Sequence, residues 1–292
     1  MKTNLIITRW IFLVFLLFLT SLIWSMVWHF SPKTELEIAY LDIGQGDATL
    51  ITAPNGNRLL IDGGEGAQIL TAISDVLPFY DRRIDILLAT HAHTDHLGGF
   101  PSVIDRFKVQ AVIDNGLPGS SPAYNNLYQT IDEVGVDLFT ARRGMLIHLD
   151  KETVFVVLFP DRELADNMDP DDGSIVGQLI HGQNAFIFTG DAGQKVEEYL
   201  VNLDGSNLES EILKAGHHGS RTSTAHNFVG WVDPKYAIIS AGRDNRHGHP
   251  HSEVLETLNQ FSVQIESTFE TGHIIFSSDG REVNCLTCLR QN

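Results

Sequence analysis

Four apolar runs of strand length in this chain each stop on a residue that can bind a metal or a proton. Asp62 follows "LLI", His91 follows "ILLAT", Asp191 follows "FIFTG" and His217 follows "EILKAG". The loops of a sheet gather at a common end of its strands, so residues far apart in sequence can meet there. The pattern points to a sheet-containing fold in which these residues can gather, although spacing alone does not bring them together.

Around these runs the periodicity alternates between strand and helix. "ELEIAYL" alternates, and "DATLIT" and "RLLID" follow with a Pro-Asn-Gly turn between them, as successive short strands do. Residues 67–79 read as a helix, "RIDILLAT" as a buried strand, 99–107 as a second helix and "VQAVID" as another strand. A second series opens at 153 with "VFVVLF", "SIVGQLIH", a Gly-Gln-Asn turn, "AFIFTGD", a helix over 193–201 and "EILKAGHHGS". "YAIIS", a helix over 252–261, "VQIES" and a hairpin at Asp279-Gly280 complete it. A strand-rich block followed by helices, loosely repeated, is accommodated most economically by two packed sheets with helices outside. That is an αββα sandwich of the α/β class.

The first thirty residues are of another kind. Lys2 and Arg9 precede nineteen uncharged, mostly apolar residues, Trp10 to Trp28, about the length that a bilayer core requires of a helix. The expectation is one N-terminal transmembrane helix over 1–30 and a working domain over 31–292. A cleaved signal peptide is the alternative, although its apolar region is usually shorter and no Ala-x-Ala-like site follows. With basic residues before the span and Glu35 and Glu37 after it, the N-terminus belongs in the cytoplasm and the domain outside. Cleavage would make the domain secreted. None of the 37 acidic residues lies in the first thirty positions, so the working domain is more acidic still than the −17 of the whole chain. Its general surface is thereby excluded from gripping a polyanion, since that affinity comes from basic groups displacing counterions. Cys285 and Cys288 are the only cysteines. With no second pair to complete a zinc site, they are expected to form a tail disulfide in an oxidising compartment.

The densest chemistry lies in "ATHAHTDHLGG" at 89–99. His91 and His93 can present imidazoles to one cation, while Asp95 and His96 point to an adjacent position. Imidazole and carboxylate together suit zinc, manganese or iron. Asp62 reads as a residue that orients a ligating histidine rather than as a ligand. Gly44, Gly46, Gly63 and Gly64 form neither G-x-G-x-x-G nor a P-loop, and read as turns. Lys214 either neutralises nearby carboxylates or lies at a strand edge.

"HAHTDH" resembles the His-x-His-x-Asp-His signature of the metallo-β-lactamase superfamily, with Asp62 upstream and "TGD" downstream in the family's order. More narrowly, "LDIGQGDATLI", "LLIDGG", "THAHTDHLGG", "FIFTGDA", "EILKAGHHGSRTS" and "YAIISAGRDNRHGHP" resemble the metallo-β-lactamase-like domain of the ComEC competence family, over nearly all of 36–286. The resemblance implies a first metal at His91 and His93, a second at Asp95 and His96, and Asp191 bridging both. His217 would complete the second site, with His218 as the alternative. Many members place a further histidine in the stretch that here reads "DPDDGSIVG". Asp172, or Asp171, would substitute for it, and that exchange favours harder ions such as manganese over zinc.

The implied cofactors are therefore two divalent ions, Zn or Mn, and the implied reaction is phosphodiester hydrolysis by water that the ions activate. Asp95 and Asp191 would stand at its centre, and His249 of "HGHP" would assist the leaving group or bind a phosphate oxygen. Gln45, Asp47 and Ser220 are expected near the substrate. DNA is the substrate that the family implies. The channel domain that accompanies this module in the family is replaced by the single anchor, so the chain reads as a stand-alone relative. A lactone or ester hydrolase of the same fold, and a catalytically silent DNA-uptake binding module, are the alternatives.

Overall fold

The computed structural model describes residues 2–29 and 35–288, with side chains described for 9–25 and 35–288. It divides into two compact units, Met1–Lys33 and Thr34–Asn292. The first contains one helix, α1 (Lys2–His29). Its large apolar side chains from Trp10 to Leu19 are all exposed, and ten consecutive residues cover every face of a helix. Among the described residues no helix is long and apolar enough to cross a membrane. The expected span, Trp10 to Trp28, runs past the described side chains, as does the Lys2 charge used to orient it.

The second unit is built on two sheets. Strands β1 (Leu36–Tyr40), β2 (Thr49–Thr52), β3 (Arg58–Ile61), β4 (Ile86–Leu88), β5 (Ala111–Asp114) and β6 (Asp137–Thr140) form most of the first. The second holds β7 (Leu146–His148), β8 (Thr153–Phe159), β9 (Val176–His181), β10 (Asn184–Phe188), β11 (Ile212–Lys214), β12 (Tyr236–Ile239) and β13 (Gln264–Ser267). The chain then returns to the first sheet as the hairpin β14 (Ile274–Ser278) and β15 (Val283–Cys285). The sheet orders are β15-β14-β1-β2-β3-β4-β5-β6 and β13-β12-β11-β10-β9-β8-β7.

Alternation along the strands makes the layers. Ile38, Tyr40, Leu88, Phe186 and Phe188 point into the space between the sheets, where they pack with Ile61, Phe155 and Phe276. Their neighbours Ala39, Leu41 and Leu87 face the other way, beneath α2 (Gln68–Val76), α4 (Phe100–Arg106) and α5 (Pro122–Val134). Ile187, Leu213 and Ala237 lie likewise beneath α6 (Gln194–Asp204), α7 (His226–Val232) and α8 (Ser252–Gln260). The result is the expected αββα sandwich, since each sheet buries one face on the other and its second face under helices.

Strands β3 to β6 run parallel to one another, as do β10 to β13. Ile61 pairs with Leu88, and Phe188 with Lys214, so the C-terminal ends of neighbouring strands are level. In open parallel sheets that end is where ligand-binding loops collect. The loops after β3, β4, β10 and β11 carry the four residues that stopped the apolar runs.

Two tight places hold these loops. Gly99, between α3 (Thr94–Leu97) and α4, donates to the Gly64 carbonyl at 2.9 Å. A Cβ there would overlap the Gly63 carbonyl oxygen and stand 2.9 Å from that of Gly66. Neither backbone group can rotate away, so Gly99→Ala is expected to cost about 3 kcal/mol in urea unfolding, as overpacking does. The other is the carboxylate of Glu197, fully buried in α6, which accepts from the amides of Thr224 and Ala225 at 2.7 Å each where α7 begins.

Burial raises the Glu197 pKa to about 7, against the opposing pull of those two amides. A raised carboxyl pKa means that the folded state binds the proton more tightly, so its stabilising effect is full below the unfolded value and fades as pH rises through about 7. Wild-type stability is therefore expected to fall between pH 5 and pH 8 by an increment missing from Glu197→Gln. Parallel urea titrations at the two pH values measure it.

Candidate metal centre

The "THAHTDH" segment turns at the end of β4 so that its polar side chains face the edge between the sheets. Asp62, one residue past β3, anchors it from a left-handed backbone conformation with φ 56°. Its carboxylate accepts from the Thr90 amide and the Thr90 hydroxyl, each at 2.8 Å, and lies 2.8 Å from Nδ1 of His96. The opposite nitrogen of His96, Nε2, is buried without a hydrogen-bond partner and stands 3.3 Å from Asp191 Oδ2.

Asp191 is the hub. It follows β10 and Gly190, whose φ of +51° bends the chain, and its amide donates to the Ser174 hydroxyl at 3.1 Å. Only 2% exposed, its Oδ2 lies 3.6 Å from His218 Nε2, 3.7 Å from His217 Nε2 and 3.9 Å from His91 Nε2. Oδ1 is buried without a hydrogen bond.

His217 and His218 present their rings to this hub because both have positive φ, 49° and 55°. Such conformations cost on the order of 1–3 kcal/mol each in non-glycine residues and persist only under support. Support comes from Ser223, whose hydroxyl donates to the Gly216 carbonyl at 2.7 Å. It also comes from Asp47, which reaches across from the β1–β2 loop to His218 Nδ1 at 3.1 Å while forming a 2.7 Å ion pair with buried Lys214. Asp47 thus does for His218 what Asp62 does for His96.

Two sets of donors result. His91, His93 and Asp171 offer atoms all within 4.8 Å of one another, and so do Asp47, His96, Asp191 and His218. Asp95 joins the second set, its Oδ2 3.4 Å from His218 Nε2. The lone pairs of Asp47 are already engaged by Lys214 and His218, which makes it an orienting group. A third grouping, Asp171, Asp191 and His217, links the two sets.

Several sequence assignments move. The structure brings Asp171 rather than Asp172 to the first set: Asp171 Oδ1 lies 3.0 Å from His93 Nδ1, whereas Asp172 turns to line a separate cavity with Lys195 and Tyr199. His218, more deeply buried than His217, occupies the second set, and His217 leans toward Asp171 at 3.6 Å. Asp47 is 4% exposed behind His218 and out of reach of a substrate. The Ser220 hydroxyl accepts from the Thr222 hydroxyl at 3.0 Å and does not line the site cavity. Gln45 does line it, its Oε1 accepting from the Gly242 amide at 3.2 Å. His249 lines the same cavity, with its ring 5.6 Å from that of His217. Sequence reasoning did not assign Asp47 and Lys214 as a buried pair; a lysine inside the apolar strand "EILKAG" was the available signal.

Electrostatics follow from this crowding. Burial opposes the charged form of His218, yet Asp191, Asp47 and Asp95 overcome it and hold its pKa at about 10. Burial also opposes ionisation of Asp47, but Lys214 and His218 keep it at about 2. Asp191 and Asp95 stay well below the usual carboxylate range against their burial, chiefly through His96 and His218. His249 is pushed down to about 4 by burial and by the charges of His218 and His217. The centre therefore keeps its carboxylates ionised and needs positive charge among them, which is what divalent cations supply. His96 Nε2, His218 Nε2 and Asp191 Oδ1, buried without a hydrogen bond, fit that need, and a nitrogen and oxygen donor set suits zinc or manganese.

Over most of its length the chain is similar to three curated proteins: ComE operon protein 3 of Bacillus subtilis, 33% identical over 85% of this chain and 34% of that protein; competence protein ComA of Neisseria gonorrhoeae, 31% identical over 84% and 33%; and recombination protein 2 of Haemophilus influenzae, 30% identical over 83% and 29%. The chain spans about a third of the length of these relatives. Among solved structures it shares its fold with CmlA, a diiron β-hydroxylase of Streptomyces venezuelae, at TM-score 0.54 and 16% identity over 81% of this chain and 53% of that one. It shares it also with Igni18, a metallo hydrolase of Ignicoccus hospitalis, at TM-score 0.53 and 14% identity over 83% and 98%. Residues 41–243 match the family described as the Metallo-beta-lactamase superfamily, and this chain belongs to it, with a domain of the kind found in ComEC-like competence proteins.

Proposed function

We propose that the domain is a metal-dependent phosphodiesterase that takes two divalent ions, zinc or manganese, and acts on DNA or a smaller phosphodiester. The observation that carries this reading is Asp191, a buried carboxylate of the second donor set whose Oδ2 also lies 3.9 Å from His91 Nε2 of the first and which groups with Asp171 and His217. His91, His93 and Asp171 would hold one ion, and Asp95, His96 and His218 the other, with Asp191 between them. Ions held there would supply Lewis acidity, lowering the pKa of a bound water and offsetting the negative charge that develops on the phosphate oxygens. The chain's own residues do the rest. Asp62 and Asp47 fix the imidazoles of His96 and His218, and the backbone of α3 carries Asp95 as a unit with His96. His249, which lines the cavity with its ring 5.6 Å from that of His217, serves as a hydrogen-bond partner to a phosphate or leaving-group oxygen.

The names of the competence relatives support DNA as a substrate. The net charge of −17 limits contact to the few phosphates nearest the cavity, so a short or single-stranded segment fits better than a long duplex. Hydrolysis of bis(p-nitrophenyl) phosphate and of linear DNA, after chelation and reloading with zinc or manganese, tests the reading. Activity should vanish on chelation and return with metal. His93→Ala and Asp191→Ala should each lower it at least about a hundredfold, the usual scale for loss of a group that acts in the transition state. Metal-loaded protein that leaves both substrates intact would sink it.

Asp171 and Asp172 provide a sharper check. Asp171→Ala is expected to reduce the bound metal, counted by elemental analysis, by about one ion per chain, and Asp172→Ala to leave the count alone.

For location, we propose that α1 anchors the domain outside the cytoplasm. The sequence pattern supports this reading, because Trp10 to Trp28 is an uncharged, mostly apolar run of about the length that a bilayer core requires. The Cys285–Cys288 disulfide fits an oxidising compartment. Protease accessibility of the domain in spheroplasts is the test: full protection from added protease would place it inside.

A further inference from the structure

The cavity over the metal centre, about 510 Å³, is bounded on one side by the loop that follows β12 and on the other by Gln45 and Glu65. Its acidic lining residues are Glu65, Asp95 and Asp191, and Arg246 is the single lysine or arginine among the lining residues. Arg246 is exposed at the rim, whereas Asp191 on the floor is buried. Among the described residues no carboxylate lies within ion-pair distance of Arg246, and its Nε stands 3.2 Å from His247 Nε2.

The loop that carries it is fixed rather than free. Asn245 donates through Nδ2 to the carbonyls of Gly242 and His249, at 2.8 and 2.7 Å, and accepts through Oδ1 from the amides of His247 and His249, at 3.2 and 2.9 Å. Gly242 at the loop's start packs against Gln45, where an added Cβ would stand 3.2 Å from the Gln45 nitrogen. The backbone of the loop that carries Arg246 is thus tied in place at the edge of the cavity. With a scissile phosphate on the floor beside Asp191, Arg246 at the rim would be the cationic side chain of the cavity lining offered to a neighbouring group of the substrate.

We propose that Arg246 is a specificity residue that selects substrates bearing a second phosphate next to the scissile one. This rests on the phosphodiesterase reading and deepens it. A guanidinium fork binds phosphate oxygens in bidentate fashion, and a rim contact of this kind discriminates between ligands without taking part in bond cleavage. The consequence is a preference for phosphorylated dinucleotides and oligonucleotides over isolated diesters.

The test compares kcat/KM for thymidine dinucleotides carrying a terminal 5′-phosphate, a terminal 3′-phosphate or neither, in the metal-loaded protein, with bis(p-nitrophenyl) phosphate as the simple diester. The wild type should prefer one phosphorylated dinucleotide by about tenfold, mostly in KM and less so at high salt, as expected for a charge-assisted contact. Arg246→Ala should abolish that preference and Arg246→Lys should keep part of it. Arg243→Ala should keep all of it, because that side chain points to the Phe269 carbonyl instead. A wild type without preference, or Arg246→Ala with the full wild-type ratio, overturns the inference while leaving the phosphodiesterase reading intact. Failure to cleave any of the four substrates overturns both.

Discussion

A carboxylate almost completely removed from water is the constraint on which this domain is organised. Asp191 cannot remain ionised at 2% exposure unless positive charge is brought to it. Four imidazoles approach its Oδ2 within 3.3 to 3.9 Å, and two of them, His96 and His218, are held above their ordinary pKa by the surrounding carboxylates. Protons and metal ions compete for the same nitrogen lone pairs, so a centre that raises imidazole pKa values is already shaped for cations. Each imidazole then needs its far nitrogen fixed. Asp62 and the Asp47–Lys214 pair meet that need, which is why charged groups lie buried beneath the site rather than only around it.

Holding those groups requires the loops to be tied to one another. The Asp47 amide donates to the Asp95 carbonyl at 3.2 Å, the Gly64 amide to the Asp47 carbonyl at 3.0 Å, and the Gly99 amide to the Gly64 carbonyl at 2.9 Å. Three loops separated in sequence are therefore a single hydrogen-bonded body. The same body tolerates left-handed backbone at Asp62, His217 and His218. Strain of that kind is stable only where neighbouring contacts overdetermine it, and the parallel strands beneath, level at their C-terminal ends, provide the rigid platform. The precision of the centre thus originates in the strand register, a few residues upstream of the donor side chains.

Much of this could be read from the residues. Strands alternate with period two, and Ile38, Tyr40 and Phe186, Phe188 announce both the inner face and the layer order. The histidine segment is legible because ligand types are packed more densely there than a solvated loop requires. What escaped was set by geometry that no local pattern encodes. Asp171 and Asp172 are equivalent in composition, and only the turn that donates the Ser174 amide to the Asp171 carbonyl, with Gly173 behind it, decides which side chain faces inward. His217 and His218 are separated by a single peptide of left-handed backbone. The helix α5 was omitted from the sequence expectations even though Ser121 caps it, accepting from the Tyr124 amide at 3.1 Å, and Gly135 ends it at φ 74°. Its mixed composition between those signals hid the apolar stripe of Leu127 and Ile131.

The shared architecture does not by itself choose a reaction. A diiron hydroxylase and a metallo hydrolase both adopt it, at sequence identities where likeness speaks of the fold alone. Selection has to come from the donors and from the space above them. Replacing an imidazole with the Asp171 carboxylate adds negative charge on one side of the centre and moves its preference toward harder ions. That carboxylate also lowers the net positive charge that a bound pair of ions would present, so an anionic substrate is held less strongly from the floor of the cavity. Under the proposed reading, an acidic surface and a less positive floor leave the rim, where Arg246 is the single lysine or arginine among the lining residues, as the place where an added contact would tell most.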